Sequence, residues 1–263
     1  MRLRFLGTGT SFGIPVVGCA CEVCTSVDPR DRRTRHAALL TSADGERSLL
    51  VDTPPELRLQ LLDAGVRRID AVWFTHAHAD HTHGIDDLRV FSARARRSLP
   101  AWADAETAAF LHRTFAYIFD ASYRPPEGTT KPEITLNVFD GAGAVSAAGF
   151  SLLPVPATHG DMTAWGFRVG PLGYVTDAKK LTPASLEKLR GARVLVLNAL
   201  WFGDPHPTHL NVEEAVELSR SLDAQQTYLT HITHRVSHAV LEKRLPDGVH
   251  AAWDGLMVNI EET

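Results

Sequence analysis

His76, His78, Asp80 and His81 stand within one short run, Thr75-His-Ala-His-Ala-Asp-His-Thr-His83. Neutral imidazole nitrogen and carboxylate oxygen are the ligand types that suit zinc and similar divalent ions. Packing alone does not require three imidazoles and a carboxylate this close together. The run offers two pairs of ligands, His76/His78 and Asp80/His81, which suggests two ions rather than one. It is not the H-E-x-x-H spacing that puts both histidines on one helix face; here a loop wraps around a centre. Two adjacent ions can share a water and lower its pKa from about 15.7 to near 7, making hydroxide available at neutral pH. The chemistry implied is hydrolysis without a covalent nucleophile, and no Ser-His-Asp or G-x-S-x-G pattern supplies one. A solvated polar loop that binds nothing is the alternative.

Cys19-Ala-Cys21-Glu-Val-Cys24 contains all three cysteines of the chain. An odd count and no secretory signal argue against a disulfide framework, and such close spacing disfavours strain-free pairing within the run. Three thiolates on one loop suit a tetrahedral zinc that takes its fourth ligand from elsewhere. A redox-active or simply buried cysteine cluster is the alternative.

The H-x-H-x-D-H run after the apolar stretch Asp70-Ala-Val-Trp-Phe74 resembles the signature of the metallo-β-lactamase superfamily, and the resemblance extends from end to end. It implies further ligands at His159, Asp177 and His231, each following a strand-like run. By resemblance, His76, His78 and His159 hold one metal, Asp80, His81 and His231 hold the other, and Asp177 bridges them. Asp52, in Leu-Val-Asp-Thr-Pro54, matches a family aspartate that orients the histidine loop; a turn-forming Asp is the rival reading. The cysteine run and the opening Gly7-Thr-Gly-Thr-Ser-Phe-Gly-Ile-Pro15 are similar to a subgroup that includes phosphoribosyl cyclic phosphate phosphodiesterases. In that subgroup a histidine three residues after the last active-site histidine completes a structural zinc site, which here is His234. A loop histidine that helps the leaving oxygen depart corresponds to His209, with a surface or helix-capping histidine as the alternative. Lys179 and Lys180 follow the bridging Asp177 and could reach a phosphate, although exposure to solvent is the default for lysine.

The resemblance therefore implies a dinuclear-metal-dependent hydrolase with His209, Asp80 and Asp177 as catalytic residues. Its cofactors are two divalent ions, zinc or manganese with iron as a third option, plus one structural zinc. The expected substrate is a small phosphate ester, a phosphodiester that can be cyclic, with phosphotriesters also open. The rivals are a ribonuclease Z-like RNA nuclease, a lactone or thioester hydrolase and, outside catalysis, a cofactor-pathway carrier. A net charge of −4 gives no global attraction to nucleic acid. The arginine clusters at Arg30–Arg35 and Arg94–Arg97 read as solvated surface. Oligomeric state is open, with a homodimer as one option.

These residues need a scaffold that ends strands next to one another. With 263 residues, 44% of them hydrophobic, the chain can bury one substantial core, and residues 1–263 read as a single domain. No apolar run approaches a membrane span, Met1–Leu6 reads as a strand rather than a leader, and a reduced cysteine cluster agrees with a cytoplasmic home. Strands are expected at Arg2–Leu6, Ala37–Thr41, Ser48–Val51, Asp70–Phe74, Ile134–Phe139, Phe150–Val155, Ala164–Val169, Leu172–Thr176, Val194–Leu197, Thr227–Leu229 and Leu256–Ile260. Asp44-Gly45 should close a hairpin. Helices are expected at Pro55–Ala64, with Leu57, Leu61 and Leu62 at helical spacing, and at Asp104–Phe115. Two more are expected at Pro183–Leu189, capped by Thr182, and at Val212–Leu222, capped by Asn211. Periodicity supports an α/β or α+β class. The resemblance implies the four-layer αβ/βα sandwich, with two central mixed β-sheets flanked by helices. Tyr117–Glu133 is long for a connection and reads as either a lid or an aromatic-anchored surface loop.

Overall fold

The computed structural model describes residues 1–261. The first sheet starts with antiparallel strands β1 (Arg2–Gly7), β2 (Ala37–Thr41) and β3 (Ser48–Val51). It continues in parallel through β4 (Ala71–Trp73), β5 (Leu99–Asp104) and β6 (Ile134–Phe139). The second sheet uses the same succession of pairings. β7 (Val145–Ala147) pairs with β8 (Phe150–His159), and β8, β9 (Met162–Val169) and β10 (Leu172–Val175) run antiparallel. β11 (Lys180–Leu181) edges β8, while β12 (Val194–Asn198), β13 (Gln226–Thr230) and β14 (Val249–Ala251) follow β10 in parallel. β15 (Met257–Asn259) returns to the first sheet beside β1, so both ends of the chain close one edge.

Period-two alternation along the strands builds the layers. Leu49 and Val51 of β3 and Ala71 and Trp73 of β4 face a central core, where Phe167, Leu172, Tyr174 and Val196 of the second sheet meet them. The intervening Leu50 and Val72 face outward onto α1 (Leu57–Asp63), α3 (Arg89–Ala95) and α4 (Ala105–Thr114), which contribute Leu57, Phe91 and Leu111. On the far side Leu195 and Leu197 face α6 (Pro183–Leu189), α7 (Val212–Ser221) and α8 (His238–Arg244). Helices, sheet, sheet and helices make the four-layer sandwich. Strands buried on both faces explain why these segments read as continuous apolar runs. Two short helices, α2 (Ala79–Thr82) and α5 (Ala116–Phe119), flank the first sheet's loops.

The caps at Thr182 and Asn211 form, and Asn211 makes a full capping box with Glu214. The Gly45 turn closes β2 onto β3 with φ +77°, a conformation glycine takes without steric cost. Two expectations are corrected. Leu62 is 61% exposed, so the buried face of α1 is made by Leu57, Gln60 and Leu61. The Arg30–Arg35 cluster is not uniformly solvated: Arg33 is buried and donates to the hydroxyl of Thr8 and the carbonyl of Ala252. Burial pushes its guanidinium down to about 10, against Asp254 and Asp31 nearby. Among the described residues no helix is long and apolar enough to cross a membrane.

Candidate metal centre

The sequence-predicted residues gather where strands end. Asp52 follows β3, the histidine run follows β4, His159 ends β8, Asp177 lies just beyond β10 and His231 just beyond β13. Open sheets with parallel strands place ligands at such carboxyl ends. Three of these residues leave their strands in the left-handed region: Asp52 at φ 62°, Asp177 at 56° and His231 at 58°. Aspartate tolerates this better than most residues. Such backbone costs about 1–3 kcal/mol where it is strained and clusters at functional sites.

His76 Nε2 and His159 Nε2 lie 3.0 and 3.1 Å from His78 Nδ1. A tetrahedral ion with bonds of about 2.0–2.1 Å to nitrogen sets its ligands about 3.3 Å apart, so these atoms are spaced for one ion. His81, Asp80 and His231 form a second group, with His81 Nε2 3.5 Å and His231 Nε2 3.9 Å from Asp80 Oδ2. Asp177 Oδ2 sits between the groups, 3.4 Å from His81 and His231, 3.7 Å from His76 and 3.9 Å from His159. His81 Nε2 and both ring nitrogens of His231 are buried without a hydrogen-bond partner. Buried polar atoms are rarely left so, and a bound cation would satisfy His81 Nε2 and His231 Nε2. The donor set therefore fits two divalent ions.

The outward ring nitrogens of His76, His81 and His159 are anchored. His81 Nδ1 donates to Asp52 Oδ2 at 2.7 Å, while the amide and hydroxyl of Thr75 donate to the two Asp52 oxygens. His159 Nδ1 donates to the Thr208 carbonyl at 3.0 Å, and His76 Nδ1 donates to the Thr75 hydroxyl. Each bond fixes a tautomer whose Nε2 lone pair points inward, the usual arrangement of metal-bound imidazole. Asp52 thus bonds His81 and both the amide and the hydroxyl of Thr75. Burial pushes the Asp177 carboxyl up, yet His231 and His81 beside it pull it well below the usual range. Burial opposes a charge on His81, yet Asp177, Asp52 and Asp80 hold it well above the usual histidine value. The carboxylates thus draw positive charge to the place a divalent cation would supply it.

Cys19, Cys21 and Cys24 form a second group with His234, and all three cysteines are free. Their sulfurs lie 3.4, 3.5 and 3.5 Å from His234 Nδ1. Tetrahedral zinc, with bonds of about 2.3 Å to sulfur and about 2.0–2.1 Å to nitrogen, puts S and N about 3.6 Å apart. The backbone amides of Val16 and Cys24 donate to Cys24 and Cys21 sulfur. The Cys24 amide bond is the chief reason the Cys21 thiol falls to about 6, whereas burial pushes Cys24 up to about 11.

His209 lies against the centre but outside both triads, with Nε2 3.4 Å from Asp177 Oδ2 and its ring stacked on His231. Burial holds its imidazole below the usual value, against the pull of Asp177. His206 lies beside it, Nδ1 to Nδ1 at 3.3 Å. Sequence reasoning gave His36 no role, yet it is fully buried, bonded to Thr230 and Tyr174, with its ring 5.9 Å from that of His81. Nothing in its neighbours along the chain marks this; only the meeting of the two sheets does. Lys179 is not available to a phosphate, since its ammonium pairs with both Glu214 oxygens at 2.7 and 2.9 Å. Lys180 is exposed on β11. Within the Tyr117–Glu133 segment, Tyr117 is held by its hydroxyl donating to Asp86.

Residues 47–232 match the model of the beta-lactamase superfamily domain. A crystal structure described as a new diphosphatase from the PhnP family superposes with a TM-score of 0.90 at 36% identity, covering 99% of this chain and 98% of that one. The chain is also 33% identical, over its whole length, to an octanoyltransferase of Porphyromonas gingivalis, but spans only 52% of that curated relative. Zinc-bound PqqB from Methylobacterium extorquens shares the fold, with a TM-score of 0.78 at 18% identity over 99% of this chain and 100% of that one. The chain belongs to the metallo-β-lactamase superfamily, within its PhnP family.

Proposed function

We propose that this protein is a dinuclear metal-dependent phosphodiesterase acting on small phosphate diesters or diphosphates, with a separate structural zinc. Family membership supports the broader statement, a metal-dependent hydrolase. The observation that carries the finer one is His209, a histidine outside both ligand triads with Nε2 3.4 Å from the shared Asp177. End-to-end similarity to a diphosphatase at 36% identity adds to it.

His76, His78 and His159 would hold one ion, Asp80, His81 and His231 the other, and Asp177 both. When bound, such a pair supplies an activated water and offsets negative charge on phosphoryl oxygens. The remaining roles belong to the chain. Asp52 and Thr75 keep the imidazoles aimed inward, and Asp80 and Asp177 keep the two positions close. His209 holds a proton at Nε2 for the departing oxygen. The cysteine loop and His234 tie residues 10–24 to the segment just after His231.

Elemental analysis of the purified protein, run beside hydrolysis of alkyl and aryl phosphodiesters, diphosphates, phosphotriesters and lactones, tests the proposal. Three metal equivalents and preference for phosphodiesters or diphosphates are expected; a preference for lactones would overturn the phosphodiester reading. Asp52→Ala should weaken metal retention at the dinuclear centre about 10–100-fold, measured by competition with a chelator. Unchanged affinity would reduce Asp52 to a turn residue. Cys21→Ser should remove one metal equivalent. Losing about 3 kcal/mol of metal-coupled stability would lower Tm by roughly 6–12 °C in a chain of this size. A Tm equal to that of the parent would show that the cysteine cluster holds no structural ion.

A further inference from the structure

Beside the metal centre lies a cavity of about 260 Å³, lined by Phe12, Trp201, His206, His234 and Arg235 among others. From the geometry we infer that it is a subsite for the nucleobase of a nucleotide substrate. The inference deepens the phosphodiesterase reading and rests on it.

Planar side chains dominate its lining, beside Thr10, Val16 and Thr233. The Arg235 guanidinium lies 3.9 Å over the Trp201 ring, and the His206 ring meets Trp201 edge-on at 5.5 Å. Arg235 forms no ion pair among the described residues, so its outer face is free to stack. Phe12 is 71% exposed on the opposite loop. A lone exposed aromatic needs no explanation, but one lining a cavity with a tryptophan, a histidine and a stacked guanidinium forms a set. Aromatic rings and arginine planes are the surfaces on which proteins stack unpaired bases, because every base offers a π-face.

Size and position agree. The volume is below the roughly 300–1,000 Å³ of sites that enclose a whole drug-sized ligand, and so suits one ring system with the rest of the substrate outside. His206 and His209, ring against ring at 5.2 Å, separate the cavity from Asp177. A base in the cavity would thus be set off from the reacting phosphate, as a ribose sets it off in a nucleotide. The wall carrying Phe12 is also fixed. Gly13 closes a turn onto Thr10, Ile14 donates to the Arg33 carbonyl, and Val16 donates to Cys24 sulfur. A preformed wall lowers the entropic cost of binding.

The test compares, on metal-loaded full-length protein, ADP-ribose with its base-free counterpart, a diphosphate joining two ribose 5-phosphates. The kcat/KM ratio should favour ADP-ribose at least about tenfold, and Phe12→Ala and Trp201→Ala should each cut that ratio about five- to tenfold. Phe12 is exposed, so its variant tests the subsite without threatening the fold. In parallel, calorimetry should show AMP binding about tenfold tighter than ribose 5-phosphate, a margin lost in both variants. Equal affinity for AMP and ribose 5-phosphate, or a ratio near one, overturns the subsite. If the base-free diphosphate is still hydrolysed, the phosphodiesterase reading survives that result. If neither diphosphate nor an alkyl or aryl phosphodiester is hydrolysed, that reading fails, and the calorimetric margin alone decides the subsite.

Discussion

Asp177→Asn should release one ion and abolish most turnover. Asp177 is 1% exposed, and its Oδ2 lies 3.4–3.9 Å from the Nε2 atoms of His76, His81, His159, His209 and His231. Among the described residues no other carboxylate is within 4 Å of histidines of both candidate ligand groups. Two divalent cations a few ångströms apart repel strongly, and in a buried site little solvent screens them. A negative oxygen between them would make double occupancy tolerable. Asn is the sharper choice because it also tolerates the left-handed backbone at this position, so the charge is removed and the φ of 56° retained. Metal content at the centre should fall from two equivalents towards one, and turnover should fall by more than the about 10²–10³-fold that losing one oxyanion donor costs in other enzymes. A variant that keeps both ions with turnover within tenfold would show that Asp177 is not the bridge.

Why the candidate donor groups stand out in sequence, and much around them does not, has a physical reason. His76 and Asp177 follow strands buried on both faces, and His159 and His231 follow strands with one buried face, so each apolar pattern stops where the polar donors begin. The cysteine run was equally visible because three sulfurs on one loop have few other uses. β5 went unseen because Pro100 interrupts Leu-Pro-Ala-Trp-Ala-Asp104 and demotes it as a strand, although β4 and β6 both pair with it. β8 runs on to His159 through Pro154 and Pro156, where a shorter strand was expected. α8 and β14 are too short and too polar to give a periodic signal. The left-handed turns at Asp52, Asp177 and His231 have no local signature, since none is glycine. His36 and Arg33 owe their burial to partners far along the chain, among them Tyr174 and Ala252. Sequence thus marked the donor groups that gather at the strand ends. The groups that aim those ligands or pack beneath them depend on how the two sheets meet.

His209→Ala should slow hydrolysis of an alkyl phosphodiester about 10²–10⁴-fold, the usual worth of a placed general acid, while metal content stays at the parent level. An alkoxide is a poor leaving group and needs a proton as the P–O bond breaks; a nitrophenolate does not. The defect should therefore shrink to less than about tenfold on a bis-nitrophenyl diester, because proton transfer then contributes little to the barrier. His209 is placed for this role: it stacks on His231, and its Nε2 faces Asp177. The Thr208 hydroxyl and His206 bracket its Nδ1 at 2.8 and 3.3 Å, so the ring is held from behind while its other nitrogen faces the centre. Equal losses on both substrates would recast His209 as a phosphate-binding group. Loss of metal would make it a ligand, which its place in a triad with His159 and Asp177 makes a fair test.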